Sequence, residues 1–228
     1  MLQQTQVERV IPFYTKFIKR FPTAKRLAAA PLGEVLALWQ GLGYNRRAKL
    51  LREAAQHLVH TPLYGTRSDL VEQLEELPGV GPYTARAVAA FAYNIDVIFV
   101  ETNIRTVIIH HFFTTDRNTT IYGSVSDAQI LEVLAEALLK GRAREWYSAL
   151  MDYGAHLKSS GISHNARSKK YVKQSTFAGS LREARGAIVR EYTKGVTSHA
   201  TLLGLLGPSR RAQMEKALEA LIAEGLIT

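Results

Sequence analysis

The chain has 228 residues, 46% of them hydrophobic, and no cysteine; this composition supports a real core and leaves no disulfide, thiol nucleophile or cysteine-held metal site. No run of 18 apolar residues marks a membrane span and "MLQQTQVERV" lacks the charged-then-apolar pattern of a signal peptide, so a soluble cytoplasmic protein is expected. The formal net charge of +9 is the footprint of a polyanion binder.

Residues 1 to about 113 read as a series of short helices. Apolar spacing of three and four recurs at Val7, Val10, Ile11, Tyr14, Phe17 and Ile18, at Val35, Leu36, Leu38 and Trp39, and at Leu50, Leu51, Ala54, Ala55 and Leu58. Pro22, Pro31, Gly41, Gly43 and "HTPLYGT" punctuate them. A helix is predicted over 68–77, apolar at Leu70, Leu74 and Leu77, and another after Pro82, apolar at Ala85, Val88, Ala89 and Ala92. "VIFV", residues 97–100, is the one credible strand, too short and isolated to define a sheet. Ser126-x-x-Gln129 forms a capping box opening "DAQILEVLAEALLK", with Gly141 at its end. From 159 to about 180 periodicity fails and a basic linker or loop is expected. Three helical patterns follow, with Ser198 and Ser209 as N-caps and Gly225 as a stop. The class is mostly α. Between His156 and Lys194 stand nine Lys and Arg against two Glu, a concentration that favours a phosphate-contacting patch.

The stretch "ELPGVGPYTARAV" joins two helices through Pro78-Gly79-Val80-Gly81, with Val80 expected to be exposed. Pro78 stops the first helix; glycines at 79 and 81 permit positive φ and carry no side chain, so backbone N–H groups of the turn and of the next helix can approach a phosphate. Spacing alone leaves this reading and an ordinary αα-hairpin corner open.

"LPGVGPYTA" resembles the helix-hairpin-helix signature of base-excision DNA glycosylases, and "FVETNIRTVIIHHFF" supplies the acidic residue at another helix N-terminus about 20 residues on. "MLQQTQVERVIPFY", "FPTAKRLAAAPLGEVLALWQGLGYNRRAKLL" and "MDYGAHL" are similar to the MutY-type adenine glycosylases of the endonuclease III superfamily, over about residues 1–157. The resemblance implies two helical subdomains with a cleft: residues 1–113, containing the hairpin at 68–93, and residues 114–158. Beyond residue 157 the resemblance fades; a basic linker or loop, 159–180, and a small helical unit, 181–228, follow, the latter either a winged-helix-like helix-turn-helix unit or a plain three-helix bundle used for packing. A monomer acting on duplex DNA at the nucleoid is expected, and because the sequence has no cysteine, no cofactor is expected.

Members of this family break the N-glycosidic bond of a flipped-out nucleotide through an oxocarbenium-like transition state that a carboxylate stabilises. Here Glu101 stands at that place, where a helix N-terminus suits a negative charge, although the family residue is aspartate. Bifunctional members carry a nucleophilic lysine at the place of Tyr83; tyrosine there implies a monofunctional enzyme and is shared with thymine and uracil mismatch glycosylases. Whether Tyr83 contacts the nucleotide or packs stays open. Gln3, Gln4 and Tyr44 match residues that wedge into the base stack, and Arg46, Arg47 and Lys49 beside Tyr44 suit a nucleic-acid surface. Gly79, Val80, Gly81 and Thr84 in the hairpin, Asn103 and Arg105 after Glu101, and Lys169, Lys170 and Lys173 in the basic segment are the remaining DNA-contact candidates.

The sequence departs from the adenine type in three ways. That type carries a glutamate just ahead of the match to "MLQQT", where this sequence opens at Met1; it carries four cysteines around an iron–sulfur cluster after "MDYGAH", the first falling where Lys158 stands; and it carries an 8-oxoguanine-recognising domain where residues 181–228 stand. The basic segment is expected to replace the cluster loop in touching DNA. His110 and His111, adjacent on a helix, project about 100° apart and cannot readily share a metal, and His57 and His60 read as surface residues. The expected activity is removal of adenine opposite guanine or 8-oxoguanine, or of thymine or uracil opposite guanine. The alternatives are a non-catalytic reader of mismatched or damaged DNA that keeps the fold, and a general nucleic-acid module.

Overall fold

The computed structural model describes residues 1–2, 5–64, 66–113, 124–164 and 176–228. Among them every regular element is helical: α1 (Val7–Arg20), α2 (Ala24–Ala28), α3 (Leu32–Trp39), α4 (Arg46–His60), α5 (Leu70–Glu75), α6 (Pro82–Tyr93), α7 (Thr102–Phe112), α8 (Asp127–Ala137), α9 (Ala143–Ser159), α10 (Leu181–Tyr192), α11 (His199–Gly204) and α12 (Arg211–Ala223). None of these helices is long and apolar enough to cross a membrane.

The chain forms two compact units. The first comprises Met1–Leu63, Leu77–Gly79 and Gln174–Thr228. Its core gathers Val10 and Phe17 of α1, Val35, Leu36 and Trp39 of α3, Ala48 and Ala55 of α4, and Ala184, Ile188, Leu202, Met214 and Leu221 of the last three helices. Phe17 meets Phe21 and Trp39 edge to face at 5.0 and 5.9 Å, arrangements favoured by the ring quadrupoles. Residues 181–228 therefore do not stand apart as a separate unit. Their apolar faces close the same core as α1–α4, and Lys49 Nζ donates to the Glu224 carbonyl at 2.6 Å across it. Only Val10 and Phe17 of the apolar positions predicted in α1 are buried; Val7, Ile11, Tyr14 and Ile18 are exposed.

The second unit comprises Tyr64–Glu76 and Val80–Lys173, with Ile104, Val107 and Ile108 of α7, Ile130 and Leu134 of α8, and Tyr147, Leu150 and Leu157 of α9 at its centre. The Ser126–Gln129 capping box is present, a device worth about 1 kcal/mol. Residues 97–100 do not form a strand. Among the described residues no partner strand lies beside them, and the buried Tyr147 side chain serves their backbone instead: its hydroxyl donates to the Val97 carbonyl at 2.8 Å and accepts from Phe99 N–H at 3.4 Å. Burial raises this phenol to about 12. Ser209 is not an N-cap. Gly207 at φ 82° turns the chain into a 3-10 turn, Pro208–Arg210, that runs into α12.

Candidate functional site

The hairpin is built by residue type. Gly79 sits at φ 76°, a left-handed conformation that glycine adopts without the Cβ penalty, and a Cβ there would lie 2.7 Å from Leu50 Cβ. Gly79 is thus required twice. Gly81, by contrast, has φ −97° as the N-cap of α6, and a Cβ at this position would meet nothing within 4 Å; its exposure, not its backbone freedom, keeps the turn open. Pro82 follows at the first helical position, where its missing N–H costs nothing. Val80 is half-buried, contrary to expectation, and Thr84 lies half-buried in the first turn of α6. Arg86 donates to Glu75 at 2.8 Å and to the Pro82 carbonyl at 3.0 Å, tying α6 to α5. The first-turn N–H groups of such a helix have no intrahelical acceptor, and their dipoles favour an anion.

Glu101 is the N-cap of α7, in extended conformation. Its Oε2 accepts from Asn103 N–H at 2.5 Å, and Thr102 Oγ1 donates to its Oε1. Lys158, near the end of α9, donates to Asn103 Oδ1 at 2.5 Å and to Thr102 Oγ1 at 3.1 Å. One turn earlier, Gly154 lets α9 lie directly against α7: a Cβ there would be 2.4 Å from the Asn103 carbonyl oxygen. Burial lowers the Lys158 amine below its ordinary value; Glu101 opposes that shift and Arg105 adds to it. Arg105 itself is committed to Asp127 of α8 at 2.7 Å, with 11% of its side chain exposed, so it braces α7 rather than offering a free cation. Tyr83 is 39% exposed and rests edge-on against Phe99 at 5.8 Å, which stacks on Tyr147 at 4.1 Å. Burial and the nearby Glu101 charge raise its phenol, keeping Tyr83 a neutral hydroxyl.

In the first unit, "GLGY" carries three demands on its backbone: Gly41 at φ 99°, Gly43 at φ 72° and Tyr44 at φ 51°. A tyrosine in this region is strained by about 1 kcal/mol, and the loop is held from below. Arg9 donates to the Gly41 carbonyl at 2.6 Å and Trp39 Nε1 to the Gly43 carbonyl at 3.1 Å. The Arg47 guanidinium lies 5.6 Å from the Trp39 ring and 5.4 Å from the Tyr44 ring; burial lowers its pKa, while Tyr44 opposes the shift. The outcome is an aromatic ring, 44% exposed, presented on a fixed backbone beside the exposed Arg46. Lys49 is not part of that surface, being bonded to Glu224 and paired with Glu53 at 3.5 Å.

Gln3, Gln4, Lys169, Lys170 and Lys173 lie outside the described residues. Of the basic run's remaining members, Arg185 pairs with Glu224 at 2.7 Å, and Arg190 and Lys194 with Glu191 at 3.3 and 2.9 Å; these carry internal ion pairs. Gly154, and the role of Lys158 beside Glu101, escape sequence reasoning. Gly154 had a signal, since a lone glycine inside a strong helical pattern usually marks close packing. His110 stacks on His164 and His111 on Tyr153, both at 5.6 Å, and among the described residues no three His, Asp or Glu gather where they could hold a metal ion.

A glycine-turned hairpin and a carboxylate-capped helix in an all-helical frame define the helix-hairpin-helix class of base-excision proteins. The sequence pattern of HhH-GPD superfamily base excision DNA repair proteins matches residues 1–122. An adenine DNA glycosylase of Mycolicibacterium smegmatis (strain ATCC 700084 / mc(2)155) is 33% identical over a 252-residue alignment, covering 100% of this chain and 81% of that protein. The human adenine DNA glycosylase is 38% identical over 158 residues, 68% of this chain and 28% of that protein. A solved thermostable thymine-DNA glycosylase superposes with a TM-score of 0.55 at 25% identity, over 68% of this chain and 69% of that one. The chain belongs to the HhH-GPD superfamily of base excision DNA repair proteins. An iron–sulfur cluster does not fit the residues present: the sequence has no cysteine, and Lys158 offers an ammonium that donates hydrogen bonds where the first thiolate would stand.

Proposed function

We propose that the protein is a monofunctional DNA glycosylase that binds mispaired duplex DNA, flips out one base and hydrolyses its N-glycosidic bond. The observation that carries this reading is Glu101, a carboxylate fixed at the head of α7 by the Asn103 N–H and the Thr102 hydroxyl. In this reading the carboxylate faces the developing positive charge at the sugar, and its fixed position means little reorganisation at the moment of bond breaking; such preorganised groups supply about 100- to 1,000-fold in rate. The hairpin N–H groups hold a backbone phosphate, and Tyr44, backed by Arg47, offers an exposed ring on which a base of the duplex stacks. Tyr83 supplies no amine, so no Schiff base forms and the abasic strand stays intact.

The test is single-turnover incubation with labelled duplexes carrying A:G, A:8-oxoguanine, T:G, U:G and hypoxanthine pairs, with and without alkali. Strand breakage of one duplex only after alkali is the expected result and names the base. Glu101→Gln is expected to abolish base release while binding persists. A second reading, a non-catalytic reader of mismatches, is favoured by the glutamate in place of aspartate and by the engagement of both Glu101 oxygens within its own helix. Tight binding to one mismatch with no base release from any duplex would select it.

A further inference from the structure

We infer that Lys158 is a positioning residue for the Glu101 carboxylate, fixing through Thr102 and Asn103 the direction in which hydrogen bonds reach it. The inference rests on the glycosylase reading of Glu101. An ammonium has three donors and no acceptor, and a threonine hydroxyl has one donor. With Lys158 donating to Thr102 Oγ1 at 3.1 Å, the hydroxyl's own proton is turned toward Glu101 Oε1. With Lys158 also holding Asn103 Oδ1 at 2.5 Å, the residue whose backbone N–H donates to Oε2 is clamped by its side chain. Both carboxylate oxygens are therefore addressed by donors whose orientation is set from the last turn of α9.

This placement runs against simple electrostatics, which disfavours a cation at the positive end of a helix. Gly154 makes it possible: four residues before Lys158, and so on the same face of α9, it allows the close approach that brings the ammonium within reach of α7. Among the described residues the charged groups facing Lys158 are Glu101, the N-cap of α7, and Arg105 of α7, with Arg105 paired in turn to Asp127 of α8; from α6, the Tyr83 phenol lies near the Glu101 charge. Among the described residues, Glu101 is the charge that favours the ammonium. The ammonium's contribution lies in polarising Thr102 and anchoring Asn103.

The experiment compares the full chain with Lys158→Met and Lys158→Arg. Single-turnover base release is measured across pH, together with duplex affinity and the unfolding midpoint. Lys158→Met is expected to slow release on the order of 10- to 100-fold, the scale of a displaced catalytic group, with affinity and midpoint kept. Lys158→Arg is expected to restore most of the rate. The wild-type rate should fall at alkaline pH as the ammonium loses its proton, and that limb should vanish in the arginine variant, whose guanidinium does not titrate there. A Lys158→Met rate and pH profile equal to wild type would overturn the inference, as would equal losses in both variants with a lowered midpoint. A readout independent of activity is the Asn103 amide resonance and its hydrogen exchange. Both should change in Lys158→Met and not in Lys158→Arg; an unchanged amide overturns the inference even if the wild type releases no base, an outcome that refutes the glycosylase reading separately.

Discussion

Replacing Gly154 by alanine places one methyl group between two helices that have no room for it. The new Cβ would stand 2.4 Å from the Asn103 carbonyl oxygen and 2.7 Å from its carbonyl carbon, against an ordinary contact of 3.4 Å or more, a deficit of about 1 Å that backbone atoms cannot absorb by a rotamer change. Alanine gains about 1 kcal/mol in helix propensity over glycine, whereas forced overpacking costs about 1–3 kcal/mol. The net effect on unfolding is thus a loss of about 2 kcal/mol or less. The larger effect falls on function: α9 and the head of α7 must part, taking Asn103, Thr102 and the Glu101 carboxylate with them, and a displacement of about 1 Å costs on the order of 100-fold in rate. Urea unfolding and single-turnover base release, measured on the same preparation, separate the two quantities. Gly186→Ala in α10, where nothing lies within 4 Å of the new methyl, is the control and should gain about 0.5–1 kcal/mol. A Gly154→Ala protein as stable and as fast as wild type would refute the account of how α9 positions Glu101.

Tyr44→Gly should remove left-handed strain of about 1 kcal/mol against a lost Arg47 contact of about 0.5–1 kcal/mol, leaving the unfolding midpoint nearly unchanged while mispaired-duplex binding falls; a parallel loss of both would make Tyr44 a packing residue. The Tyr147 hydroxyl, raised in the folded state to about 12 from an ordinary 10.0, contributes stability that is complete below the unfolded value and lost as pH rises through the folded one. The slope is about 1.4 kcal/mol per pH unit, so urea unfolding should weaken by roughly 3 kcal/mol across that window. Tyr147→Phe should be less stable at neutral pH and lack this component; identical alkaline profiles would refute the assignment.

Much of the site could be read from residues whose type is itself the constraint. Gly79 needs its positive φ, Ser126 and Gln129 close their capping box, and Glu101 falls where a helix can only begin. What stayed hidden depends on partners distant in sequence. Lys158 meets Asn103 from 55 positions away, and "VIFV" fails as a strand because a single tyrosine of α9 serves its backbone. The periodicity of α1 marks an apolar helix without saying that Val7, Ile11, Tyr14 and Ile18 would face solvent. Arg105 and Lys49 look like free cations in the sequence because Asp127 and Glu224, which engage them, lie far along the chain.

The first unit is assembled from the two ends of the chain, with most of residues 64–173 inserted between its parts. Its core lacks Met214, Leu218 and Leu221 until α12 is made, whereas every residue of the second unit's core has been synthesised by Leu157. During translation, then, the second unit can fold while the first still exposes the faces of α1, α3 and α4. Its early folding shortens the chain that must be closed to bring α10–α12 back to them, lowering the entropic cost of that final step.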